Sequence, residues 1–220
     1  MIEIIPTIVP ASSADISEWG EKFARVAPWV QIDIGDGVFV SNKTWSPPET
    51  YRLPQFDAVS YEAHLMVQAP QEVGTQFIRA GCRRVIGHLE VFSTPDESRS
   101  VLHAWKGQGA EVGLALLIDT PLEAVEPLVS ACDVVLLMAI ATLGRQGAAF
   151  DERIYARVRE LRAKHPDLTI AIDGGVSPQN IRALVEAGAS RFSVGSAISR
   201  SPDPAVAYTD LMRLAESATI

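Results

Sequence analysis

Short apolar runs rich in β-branched residues alternate with amphipathic stretches from one end of the chain to the other. The runs fall at residues 3–9, 29–35, 59–67, 83–90, 111–118, 132–140, 169–175 and 191–198. Most are nearly continuous in hydrophobicity, the mark of strands covered on both faces. Between them, helical periodicity predicts helices over 16–26, 70–80, 121–130, 151–164, 178–187 and 203–215. Thr120-Pro121, Ser177-Pro178 and Asp203-Pro204 put proline where a helix begins. Gly188, in E-A-G-A, supplies a C-terminal cap.

Eight strand–helix units in 220 residues, with no linker or low-complexity segment, predict one α/β domain over residues 1–220, a single (β/α)₈ TIM barrel. A doubly wound sheet is the competing arrangement, but no G-x-G-x-x-G follows the first strand.

The barrel accounts for polar groups inside otherwise apolar strands. In V-Q-I-D-I-G-D-G (30–37), Gln31 and Asp33 sit two apart and so share a face. Turned towards the helices they would be buried without partners, at a cost of about 2–7 kcal/mol for even a neutral group. Turned inward near the C-terminal end of the strand, they line the mouth where barrel enzymes work. The same parity groups Glu62, His64 and Met66 on the third strand; His88 ends the fourth and Asp173 lies near the end of the seventh.

Asp33 and Asp173, on opposite walls of one mouth, suit removal of a proton from one side of a carbon and its return on the other. Each also has a plain structural reading, and for Asp173 in I-D-G-G that reading is a turn. His64 with the two Asp residues makes an oxygen-rich site for a divalent metal. Glu62, one pleat deeper, either orients His64 or fills a polar layer, and Met66 and Met138 read as packing. Asp36 and Asn42, in the loop after the second strand, read as loop-shaping groups.

A second constellation is Gly174-Gly175 after strand seven and Gly195-Ser196 after strand eight. Barrels bind phosphate at those two loops, and glycine lets backbone N–H groups approach the anion. The loop after strand six, A-T-L-G-R-Q-G-A-A-F (141–150), either closes over the phosphate, with Gly147 as a further contact, or is an ordinary mobile loop. Lys22, Lys43, Lys106 and Lys164 all fall on helix or loop segments, which argues against Schiff-base chemistry inside the barrel.

Composition adds exclusions. A formal charge of -8 argues against nucleic acid or an anionic membrane as partner. Two cysteines, Cys82 and Cys132, form no disulfide or zinc pattern and are expected as reduced thiols. The N-terminus reads as no signal peptide and no run reaches membrane-spanning length, so the expected location is cytoplasmic.

The chain resembles the ribulose-phosphate 3-epimerases through I-D-I-G-D-G-V-F-V-S-N (32–42), A-H-L-M-V (63–67), G-A-E-V-G-L-A-L (109–116), T-P-L-E-A-V-E (120–126), A-I-D-G-G-V (171–176), E-A-G-A (186–189) and V-G-S-A-I (194–198). The resemblance implies a homo-oligomeric barrel that epimerises a phosphorylated sugar at C3. It assigns acid–base chemistry to Asp33 and Asp173 and a divalent metal (Mn, Fe, Zn or Mg) to Asp33, His64 and Asp173. It assigns phosphate binding to the glycine loops. Gln31 stands where the family has its other metal-binding His, and its neutral oxygen suits manganese or magnesium better than zinc. Gly35 replaces a Met, Val38 replaces a His, and the loop after strand six is altered and one residue longer. P-T-I-V-P-A-S-S-A-D (6–15) lengthens the pattern beside the mouth. Two other functions stay open: a barrel that binds a phosphorylated ligand without metal, and another phosphosugar isomerase or lyase.

Overall fold

Eight parallel strands close into a barrel in chain order, β1 to β8, each paired with its sequence neighbours and β8 with β1. The strands are β1 (Glu3–Ile8), β2 (Trp29–Gly35), β3 (Ser60–Met66), β4 (Arg84–His88), β5 (Glu111–Leu116), β6 (Val134–Met138), β7 (Ile170–Asp173) and β8 (Arg191–Val194). The helices are α1 (Ser13–Phe23), α2 (Pro70–Ala80), α3 (Pro95–Lys106), α4 (Arg153–Lys164), α5 (Ile181–Ala187), α6 (Ser196–Ser199) and α7 (Pro204–Glu216). The computed structural model describes residues 1–56, 58–144 and 147–218. Among them no helix is long and apolar enough to cross a membrane.

Strand alternation divides the core in two. Val30, Ile32, Ile34, Ala63, Leu65, Leu114, Leu137 and Ile172 face outward and pack under the helices. Ile86, Ala115, Leu136, Met138 and Ala171 face inward and fill one side of the lumen. Polar groups take many of the inward positions of β1, β2 and β3: Thr7, Gln31, Asp33, Glu62 and His64 are all buried. The lumen is therefore apolar on β5 and β6, while Arg84 and His88 on β4 and Asp173 at the end of β7 join the polar groups of β1, β2 and β3.

The lower end of that polar side is closed by ion pairs. Arg84 Nη1 lies 2.6 Å from Glu62 Oε2 and Arg84 Nε 2.8 Å from Glu111 Oε2. Its guanidinium carbon sits 3.8 Å from the Trp29 ring centre. Arg191 donates to Glu3 at 2.5 Å across the β8–β1 seam. Glu62 thus fills the polar layer below the mouth and pairs with Arg84.

Capping follows the sequence. Ser12 and Asp15 form a reciprocal capping box on α1, Thr94 caps α3, and Asp203 accepts from the Ala205 and Val206 amides to start α7. α5 ends at Gly188 with φ 116°, a left-handed conformation that glycine adopts without strain.

Three elements differ from expectation. Residues 121–130 form two 3₁₀ segments, Leu122–Ala124 and Glu126–Ala131; Pro127 removes an amide donor and blocks an α-helix there. The strands β2 and β3 are joined by a long loop in which no described residue is helical. α3 was absent from the periodic stretches because Ser98 occupies its first buried position, ahead of Val101, Leu102 and Trp105. Cys82 and Cys132 are both free thiols.

Candidate active site

Register brings the polar positions to one level. Asp33 pairs with His64 across β2–β3, Thr7 with Gln31 across β1–β2, and Asp173 with Ser193 across β7–β8. β7 lies three strands from β2 around the barrel, so Asp33 and Asp173 approach the same point from different walls.

Gln31 ties them together. Its Nε2 donates to Asp33 Oδ1 at 2.6 Å and to Asp173 Oδ2 at 2.8 Å, one amide hydrogen to each carboxylate. Its Oε1 accepts from Ser193 Oγ at 2.6 Å. The amide oxygen, which the family resemblance offers as a neutral ligand better suited to manganese or magnesium than zinc, is thus turned to Ser193 and away from the carboxylates. Ser193 escaped the sequence reading, although its inward parity beside Asp173 was available there.

His64 closes the cluster. Its Nδ1 lies 3.1 Å from Asp173 Oδ2 and 3.4 Å from Asp33 Oδ1, yet it is aligned with neither as a hydrogen bond and is fully buried. One ligand atom from each of Asp33, His64 and Asp173 falls within 4.8 Å of the others. A buried imidazole nitrogen without an aligned partner, facing two carboxylates, fits a divalent cation.

Electrostatics follow from this crowding. Burial raises the Asp33 carboxyl to about 6, with Asp173 pushing the same way against His64 and Gln31. Burial alone would depress His64, but the two close carboxylates of Asp173 and Asp33 outweigh it and raise the imidazole to about 10. In the metal-free protein the imidazolium is therefore the cation between the two acids. Burial lowers His88, which touches no carboxylate of this pair, to about 4.

The glycine loops border the same cavity. Gly147, Gly174, Gly175, Gly195 and Ser196 line it with Asp33, His64 and Asp173, and Met66 and Met138 contribute to its wall. Gly174 and Gly175 have φ of 101° and 66°. A Cβ on Gly174 would come within 2.6 Å of Ile140, and one on Gly175 within 2.9 Å of Phe150. Backbone conformation and packing on the loop after β6 thus require these two glycines before any ligand is considered. Of that loop, residues 145 and 146 lie outside the described residues.

Asp36 shapes its own loop, accepting from the amides of Val38, Phe39 and Gln68 at 2.8, 2.9 and 2.7 Å. Asn42 Oδ1 is buried without a hydrogen bond. No lysine lines the cavity among the described residues.

Known proteins match this chain in sequence and in fold. The ribulose-phosphate 3 epimerase family matches over residues 3–199. The cytoplasmic isoform of ribulose-phosphate 3-epimerase from Oryza sativa subsp. japonica is 31% identical over 219 residues, covering 98% of this chain and 95% of that protein. The chloroplastic ribulose-5-phosphate-3-epimerase of Arabidopsis thaliana is 33% identical over 214 residues, covering 94% and 74%. By structure, 3-hexulose-6-phosphate synthase from Salmonella typhimurium superposes with a TM-score of 0.70 at 15% identity, covering 99% of this chain and 100% of that one, a likeness of fold. With sequence similarity running through both acid-bearing strands and both glycine loops, this barrel belongs to the ribulose-phosphate 3-epimerase family.

Proposed function

We propose that the protein epimerises a ketose phosphate, D-ribulose 5-phosphate or a close analogue, at C3, with Asp33 and Asp173 transferring the proton. The observation that carries this reading is the pair itself: two carboxylates from separate walls of the mouth, tied to one amide nitrogen. Epimerisation requires a proton to leave one face of C3 and another to arrive on the opposite face. The ionised carboxylate takes the first and the protonated one delivers the second through an enediolate. Asp33, raised to about 6 by burial, changes protonation state close to neutrality.

Acid–base catalysis of this kind supplies about 10²–10⁴-fold. The charge that develops on the ketone oxygen needs a separate stabiliser. A divalent ion held by Asp33, His64 and Asp173 would supply it, and two carboxylates with one imidazole suit manganese, iron, zinc or magnesium. Gly147, Gly174, Gly175, Gly195 and Ser196, which line the same cavity on the loops after β6, β7 and β8, would hold the phosphate.

The test is turnover of D-ribulose 5-phosphate by metal-stripped protein, with manganese, zinc, iron(II) or no ion added back. Ion-dependent epimerisation that Asp33→Asn and Asp173→Asn each lower by about 10²–10⁴-fold supports the reading. No turnover with any ion, despite phosphosugar binding, overturns it. One observation favours a second reading, a phosphate-ligand barrel without metal: the Gln31 amide hydrogens already satisfy both carboxylates. That reading predicts phosphosugar binding unaffected by chelator.

A further inference from the structure

The proton transfer leaves one buried group at the mouth without a role. His88, at the end of β4, is fully buried, with its Nε2 3.0 Å from Nε2 of His64. Its Nδ1 lies 3.2 Å from Glu90 Oε2. The other Glu90 oxygen, Oε1, accepts from the Leu117 amide at 2.8 Å and from the Thr120 hydroxyl. Phe39 covers His88, ring centres 4.8 Å apart. In the sequence His88 stands only as a strand end, and the His88-Leu89-Glu90 spacing carries no separate signal.

Only one hydrogen fits between two imidazole nitrogens at that separation, so the His64–His88 contact has a direction. Glu90 sets it. A carboxylate that accepts from an amide and a hydroxyl at one oxygen is an acceptor at the other, so His88 Nδ1 is the donor to it. His88 then offers only a lone pair at Nε2, and His64 Nε2 must donate to it. That commits one nitrogen of His64 and leaves Nδ1, the nitrogen facing Asp33 and Asp173, as its only possible ligand atom.

We propose that Glu90 and His88 are positioning residues: they fix the hydrogen-bond direction of His64 so that Nδ1 binds a divalent cation together with Asp33 and Asp173. The inference rests on the metal-binding reading of the proposed function. Partners that hold a ligating imidazole in one tautomer typically change metal affinity by about 10–100-fold when removed. Glu90→Gln keeps the shape but puts an amide N–H₂ opposite His88 Nδ1 when its oxygen keeps the Leu117 and Thr120 bonds. His88 is then turned to donate from Nε2, and His64 can offer no free Nδ1.

Two measurements test this. The first is the ¹⁵N-imidazole spectrum of metal-free wild-type protein, in which His88 is expected to carry its proton on Nδ1; a proton on Nε2 instead overturns the proposal. The second is Mn²⁺ titration by calorimetry. Glu90→Gln is expected to weaken binding by about 10–100-fold, and Glu90→Asp, which keeps an acceptor, to recover most of it. Wild-type Mn²⁺ affinity in a folded Glu90→Gln protein overturns the proposal, and if that variant does not fold the wild-type spectrum decides. Absence of Mn²⁺ binding by the wild type would sink the metal reading, while the spectrum separately reports the direction of the His64–His88 bond.

Discussion

The hydroxyl of Ser193 donates to Oε1 of Gln31 at 2.6 Å, and this bond decides which end of the amide meets the acids. With Oε1 held by Ser193, Nε2 faces Asp33 and Asp173 and satisfies both. Reversing the amide would turn an oxygen towards two carboxylates. The polar side of the lumen is thus a network in which each member fixes the next.

Ser193→Ala should therefore destabilise the metal-free protein. It leaves Gln31 Oε1 buried and unpartnered, at about 1–3 kcal/mol. Urea unfolding in the presence of chelator measures the loss. Unchanged stability would mean that the amide finds another donor and that Ser193 does not set its orientation.

Gln31→His tests what the amide costs in metal affinity. An imidazole there adds a nitrogen donor and removes the two N–H bonds that compete for the carboxylates. Zinc affinity should rise more than magnesium affinity, because imidazole suits zinc and magnesium prefers oxygen. Parallel titrations of the two ions against wild type and variant give the ratio. An unchanged ratio would show that position 31 does not reach the ion.

Metal binding should strengthen with pH. His64, raised to about 10 by the flanking Asp173 and Asp33 despite burial, holds a proton in the metal-free protein that a cation must displace. Below that value one proton leaves per ion bound, so affinity climbs about tenfold per pH unit. Below about 6, where burial keeps Asp33 protonated as well, the slope steepens. Mn²⁺ titrations at pH 6.5, 7.5 and 8.5 check the sign, and a flat profile would show that His64 is not a ligand.

Asp33→Asn and Asp173→Asn should each lower kcat by about 10²–10⁴-fold, the range of a lost acid–base group. Each removes a proton carrier without removing the glycine loops, so phosphosugar binding persists. Steady-state turnover beside equilibrium binding separates the two effects. A variant that keeps wild-type kcat would remove that residue from the proton transfer.

The sequence by itself determined the eight strands and the inward direction of Gln31, Asp33 and His64. Those features are local: strand alternation has a period of two, and a polar residue in an apolar run can face only the lumen without large cost. It also identified the glycine loops by their place after strands seven and eight. Which inward groups share a level depended on register around the closed barrel, a long-range property. Gln31 meets Asp173 across 142 positions and Ser193 across 162, and no local pattern encodes either pairing. The same holds for Glu62, drawn down to Arg84, and for His64, which meets His88 across 24 positions. Only the tertiary structure decided that Gln31 presents hydrogens rather than oxygen to the acids, because an amide takes its direction from whichever partner the fold sets beside it.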